Sequence, residues 1–79
     1  MSTRKEIGER IASARGFRRM SQGDLGAFVG VTKQTISSWE TGYRAPDGEK
    51  IFLLCRALDC SADYILGLSD DIHGHYGRL

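Results

Sequence analysis

Proline is nearly missing from this 79-residue chain, which has one, and cysteine occurs twice. A single proline rules out a polyproline or low-complexity linker. Two cysteines, Cys55 and Cys60, are too few for a disulfide scaffold or a four-thiolate zinc site. They could pair once, but no secretory signal is recognisable, so reduced thiols on the core side in a cytoplasmic protein are expected. Long hydrophobic runs are lacking too. The longest, Ile51 to Cys55, falls far short of the roughly 20 residues a membrane span needs, so no membrane partner is expected. No segment alternates apolar and polar residues as a strand would, and none repeats. Net charge is almost absent at +1, which excludes a uniformly basic coat but says nothing of how the charges are distributed.

The chain does contain helical punctuation. Thr3-Arg4-Lys5-Glu6 has capping-box spacing, with Ile7, Ile11 and Ala14 following at helical intervals, so residues 4 to about 15 form a first helix that Gly16 ends. Met20 precedes Ser21, an N-cap, and Leu25 stands where a hydrophobic staple to Met20 would close. A second helix then runs from Gln22 to Val29 with Leu25, Phe28 and Val29 inward, and Gly30 stops it. Only Gly30 and Val31 precede the next cap, Thr32, which makes a tight helix-turn-helix. The third helix covers Lys33 to about Thr41 and ends at Gly42. Pro46 holds Ala45 extended, Asp47 caps a fourth helix with Ile51, Leu54, Cys55 and Leu58 on its stripe, and Ser61 caps a short fifth one through Leu66. With 41% hydrophobic residues, this is enough for one small all-α, five-helix domain over residues 1–68, followed by a flexible tail over 69–79.

The third helix is unusually polar. At about 100° per residue with Ile36 inward, Trp39 and Glu40 fall on the same side, Gln34 and Ser38 point away, Thr35 and Ser37 flank them, and Lys33 reaches forward from the first turn. That outward face offers donors and acceptors with no negative charge, which suits base edges in a major groove. Charge is polarised along the chain as well. Met1 to Arg19 carries six basic residues against Glu6 and Glu9, whereas Pro46 to Leu79 carries three against six acids. A basic end attracts phosphates while the acidic end stays away from them. Arg19, in the basic loop Phe17-Arg18-Arg19, is accordingly a phosphate candidate.

The run from Ser21-Gln22-Gly23-Asp24-Leu25 through Val29-Gly30-Val31-Thr32, then Ile36-Ser37-Ser38-Trp39-Glu40-Thr41-Gly42 and Pro46, resembles the helix-turn-helix of the phage lambda repressor and Cro family. Ile51 to Gly67 resembles that family's fourth and fifth helices, and Cys60-Ser61-Ala62-Asp63-Tyr64-Ile65-Leu66 is similar to the end of temperate-phage repressor domains. The resemblance implies a DNA-binding regulator in which Gln22 bonds a phosphate and braces the recognition helix. Thr32 would be a phosphate-contacting cap, and Tyr43 and Arg44 would track the backbone. Lys33, Gln34, Ser37 and Ser38 would read bases, with Thr35 beside them, and Arg15 and Glu40 would form a buried ion pair. Two departures stand out: glycines at 23 and 26 inside the second helix, and a charged Lys33 where many relatives are uncharged.

Rival readings fare worse. Short helices leave little room for an enzyme's cleft, His73 and His75 lack a further ligand cluster for a metal, and Trp39 belongs to the inward side. No cofactor and no catalysis are expected. An antitoxin-type module that binds a partner protein is the alternative, but it should carry a longer arm than this Gly-rich tail. Because one recognition helix reads few base pairs, a homodimer on an inverted-repeat operator is expected. Its pairing surface would be Tyr64, Ile65, Leu66 and Leu68, more apolar surface than so short a segment can bury.

Overall fold

A computed structural model describes residues 3–73. They form α1 (Thr3–Phe17), α2 (Gln22–Val29), α3 (Lys33–Glu40), α4 (Gly48–Leu58) and α5 (Ala62–Ile65), with no strand among the described residues. The caps are the ones expected for four of the five helices. The Ser21 hydroxyl accepts from the Asp24 N–H at 2.9 Å while the Asp24 carboxylate accepts from the Ser21 N–H at 3.1 Å, a capping box with Asp in place of the usual Glu. Thr32, Asp47 and Ser61 likewise accept from the N–H groups of Thr35, Lys50 and Tyr64.

Helix α1 departs from expectation at both ends. Thr3 is itself helical rather than the cap, and Gly16 does not stop the helix. The chain turns instead at Arg19, whose φ is 59°. The Arg19 N–H donates to Gly16 O at 3.0 Å and the Met20 N–H to Arg15 O at 3.1 Å, which is a Schellman closure. Met20 packs against the core just beyond it, so the burial of Met20 fixes the turn and a non-glycine residue takes the left-handed position.

Every helix contributes to one core: Ile11 and Ala14 from α1, Leu25 and Val29 from α2, Ile36 and Trp39 from α3, Leu54 and Leu58 from α4, and Ile65 from α5. Phe28 is a correction, because it is 67% exposed. The buried arc of α2 is centred between Leu25, Gly26 and Val29, rotated toward Gly26, and this swings Phe28 out. That rotation follows from a close approach. A Cβ on Gly26 would lie 2.7 Å from Val31 O and 3.3 Å from the Thr32 carbonyl, whereas one on Gly23 would meet nothing nearer than Ser21 Oγ at 3.8 Å. The two alanine substitutions should therefore differ in sign. Gly26→Ala should destabilise by about 1 to 3 kcal/mol through overpacking, and Gly23→Ala should stabilise by up to about 1 kcal/mol through helix propensity. Denaturant titrations of the pair check this, and two shifts of the same sign would refute the close-approach account.

The segment expected to fray from residue 69 is pinned. Arg10 donates to Ser69 O at 3.0 Å and pairs with Asp70 at 2.7 Å, the Ser61 N–H donates to Ile72 O at 2.8 Å, and Ile72 packs against the core. These are contacts from distant residues to an aperiodic strip, which leave no pattern in the sequence. Residues 74–79, His75 included, lie outside the described residues.

Candidate nucleic-acid interface

The turn between α2 and α3 is made by Gly30 in the left-handed region at φ 79° and by the Val31 N–H donating to Gly26 O at 2.8 Å. It delivers Thr32 as the cap of α3 with extended backbone. From there the polar face opens. Lys33 and Gln34 are exposed, while Thr35, Ser37 and Ser38 are half-exposed. No side-chain hydrogen bond among the described residues engages Lys33 or Gln34, so all the donors and acceptors of the Gln34 amide are open to a ligand. The hydroxyls are partly committed: Thr32 and Thr35 bond each other at 3.0 Å, and Ser38 donates to Thr35 O at 2.7 Å. Ser38 keeps its acceptor lone pairs.

Behind this face stands a three-residue brace. Arg15 Nε and Nη2 donate to Glu40 Oε2 and Oε1 at 2.6 and 3.1 Å, and Arg15 Nη1 donates to Met20 O at 2.8 Å. Gln22 Nε2 donates to Glu40 Oε1 at 3.0 Å. The Glu40 side chain is 8% exposed and that of Arg15 23%. The hydrogen bond from Arg15 to Glu40, reinforced by opposite charge, pushes the guanidinium further above its ordinary range. One carboxylate therefore ties α1, α2 and α3 together. Gln22 is thereby held by one amide hydrogen against α3, with its oxygen and second hydrogen left for another partner. A Cβ on Gly8 would come within 2.2 Å of Trp39 O, which places α1 and the end of α3 almost backbone to backbone beside the brace.

The loop after α3 is positioned by contacts that sequence patterns did not indicate. Gly42, at φ 81°, packs on the Lys5 backbone. Arg4 Nη1 donates to Tyr43 O at 3.2 Å, and the Arg44 N–H donates to Ser38 O at 3.1 Å. The first turn of α1 thus sets the loop that presents Tyr43 and Arg44, both exposed. The only clue in the sequence was a glycine three residues beyond Trp39.

Most of the basic N-terminal cluster has partners inside the fold. Arg10 pairs with Asp70 and Arg15 with Glu40, and Arg18 caps α4 through Leu58 O and Asp59 O at 2.7 Å each. Arg19 is exposed at its left-handed turn, and no side-chain hydrogen bond or ion pair among the described residues ties it to α3. The proposed pairing surface is also redistributed. Ile65 is fully buried in the core, and Tyr64 is half-buried with Arg10 over its ring at 4.7 Å. That leaves Leu66 at 40% and Leu68 at 75% exposure. A one-turn helix has a single inward position, and Ile65 takes it.

An open groove of about 440 Å³ runs along α4 and the start of α5, larger than the space expected of so small a chain. Among the described residues no cluster of three metal-ligating side chains exists, and no helix is long and apolar enough to cross a membrane.

Residues 11–65 match the helix-turn-helix family. The chain belongs to this family. It is 43% identical over 60 residues to repressor protein C2 of Salmonella phage P22, a match covering 76% of this chain and 28% of that one. It is 32% identical over 63 residues to the uncharacterized HTH-type transcriptional regulator YobD of Bacillus subtilis, covering 80% of this chain and 56% of that one. The crystal structure of the P22 c2 repressor in complex with a synthetic operator matches with a TM-score of 0.73 at 43% identity, over 76% of this chain and 91% of that chain. The chain thus spans less than two thirds of either curated relative.

Proposed function

We propose that this domain binds an operator sequence-specifically, as a two-fold homodimer on an inverted repeat, and represses transcription by occupying the site against RNA polymerase in the cytoplasm. It performs no chemistry and uses no cofactor. The observation that carries this reading is the outward face of α3. Its Lys33 and Gln34 side chains have no hydrogen-bond or ion-pair partner among the described residues, while Glu40 on the opposite side is locked to α1 and α2. Polar groups left open on a rigidly braced helix are preorganised to read base edges. Likeness to a phage repressor whose structure holds an operator supports the same conclusion. In this reading Gln34, Lys33, Thr35, Ser37 and Ser38 face the bases, and Gln22, Thr32, Tyr43, Arg44 and Arg19 face the phosphates.

Gln34 carries the first test. Gln34→Ala should cost about 1 to 3 kcal/mol on the best operator and relax preference at one base pair in each half-site. Selection from randomised DNA followed by titration measures both, and an equal loss on every sequence would mean that Gln34 holds a phosphate instead. The second test is ionic. With Arg10, Arg15 and Arg18 bonded inside the fold, the positive charge brought to the DNA comes from Lys33 at the base edges and from Arg44 and Arg19 at the backbone. About three contacts in each half-site predict a log-log salt slope near −5 for the dimer. A slope close to zero would remove these cations from the interface.

A further inference from the structure

Helix α4 ends as α1 does, in a non-glycine residue with left-handed backbone. Asp59 has φ 51°, its N–H donates to Arg56 O at 3.4 Å, and the Cys60 N–H donates to Cys55 O at 3.0 Å. This Schellman closure brings the side chain just past the turn against the one on the last helical turn, and here the two positions are Cys55 and Cys60. The turn itself does not demand thiols, since the same closure at the end of α1 has Arg15 and Met20 in the equivalent places. Both thiols are half-buried and free, and both line the open groove between α4 and α5, so a small reagent can reach them. Arg18 fixes the turn by bonding Leu58 O and Asp59 O.

We infer that Cys55 and Cys60 form a redox-active dithiol that small-molecule disulfides convert to an intramolecular disulfide at the joint between α4 and α5. Cys55 takes the role of the attacking group, as the adjacent Cys60 thiol holds it below the ordinary thiol range, while the same proximity and burial push Cys60 up. The Cys55 thiolate attacks one sulfur of the small disulfide, forming a mixed disulfide and releasing one small thiol. Cys60 then gives its proton to solvent, and its sulfur attacks Cys55 Sγ, releasing the second small thiol. Two protein thiols are oxidised to one disulfide, and one small disulfide is reduced to two thiols. The link closes the joint that carries Ile65 into the core and presents Leu66 and Leu68.

The test uses the reduced full chain incubated with glutathione disulfide, quenched in acid, alkylated, digested with trypsin and read by mass spectrometry. Cleavage after Arg56 separates the two cysteines, so a link between them is read directly as a joined peptide pair. The expected result is loss of both thiols together with accumulation of that pair, and a stable glutathione adduct on Cys55 in Cys60→Ser. The equilibrium should also favour the disulfide about tenfold or more in the folded chain over the chain in urea. Two glutathione adducts on one chain, covalent dimers, or unreacted thiols overturn the inference, and so does an equal equilibrium in urea. The wild-type readouts stand whether or not the serine variant folds.

Discussion

Glu40→Ala will destabilise the domain by about 3 kcal/mol, the lower end of what breaking a buried ion pair costs. The carboxylate is 8% exposed and accepts from Arg15 twice and from Gln22 once. Its removal leaves a guanidinium and an amide facing a small void between α1, α2 and α3. Arg15 keeps its bond to Met20 O and is 23% exposed, so water and that carbonyl relieve part of the stranded charge, which is why the lower end applies. For a domain of this size the loss corresponds to a fall in Tm of about 12 to 24 °C. Glu40→Gln should lose less, because an amide oxygen still accepts from Arg15, although the charge and one of the two acceptor oxygens are gone. The double variant Arg15→Met with Glu40→Leu should recover much of the stability, since a matched apolar pair leaves no charge buried. It should still lose affinity for DNA, because Gln22 would lose the carboxylate that fixes it. Thermal melts of the three variants separate these contributions. If Glu40→Ala melts with the wild type, the apolar contacts around Ile36 and Trp39 hold α3 without the brace.

The features legible in the sequence were those that local chemistry determines. Ser21, Thr32, Asp47 and Ser61 announced four helix starts, because a short polar side chain before an apolar-periodic run has few other uses. The Arg15–Glu40 pair followed from the family resemblance, while helical spacing by itself placed only Glu40 on the inward side of α3. What was not legible depended on how segments pack against one another, over short separations as well as long ones. Phe28 was read as inward because periodicity gives the angle between residues but not where the arc is centred, and the Gly26 contact sets that centre. Gly16 attracted a helix stop that the burial of Met20 places at Arg19. In the sequence the basic end is a single patch, yet Arg10, Arg15 and Arg18 are spent on Asp70, Glu40 and two carbonyls at the end of α4, none of which charge counting can assign. Arg4, which secures the loop carrying Tyr43 and Arg44, bonds a backbone carbonyl 39 positions away and left no trace in the pattern.

Ile65 matters most among these corrections, because it changes how the proposed dimer must be tested. An aspartate at position 65 would put a carboxylate at a fully buried site and unfold the domain, so lost DNA binding would say nothing about pairing. Leu68 is the informative position. It is 75% exposed, it follows Gly67, and its N–H is held by Asp63 O at 2.8 Å, so its side chain projects from a fixed backbone without supporting the core. Together with Leu66 it offers a contact smaller than a stable dimer interface, which predicts a monomer in dilute solution that pairs at high concentration or on DNA. Two recognition helices would then enter successive major grooves about 34 Å apart, on half-sites centred roughly 10 base pairs apart. Leu68→Asp sets two like charges against each other across the two-fold axis, where each copy meets the same residue of the other. Melting should be unchanged, while half-saturation of the operator should require on the order of 100-fold more protein, since the second half-site no longer gains from the first. The binding curve should flatten as well. A charge-reversed companion, Leu68→Lys, should weaken pairing alone yet restore it when mixed with Leu68→Asp, an outcome that a purely monomeric mechanism does not produce. If the wild-type chain occupies one isolated half-site as a 1:1 complex with the full affinity it shows for the repeat, the domain works alone and the exposure of Leu66 and Leu68 has another cause.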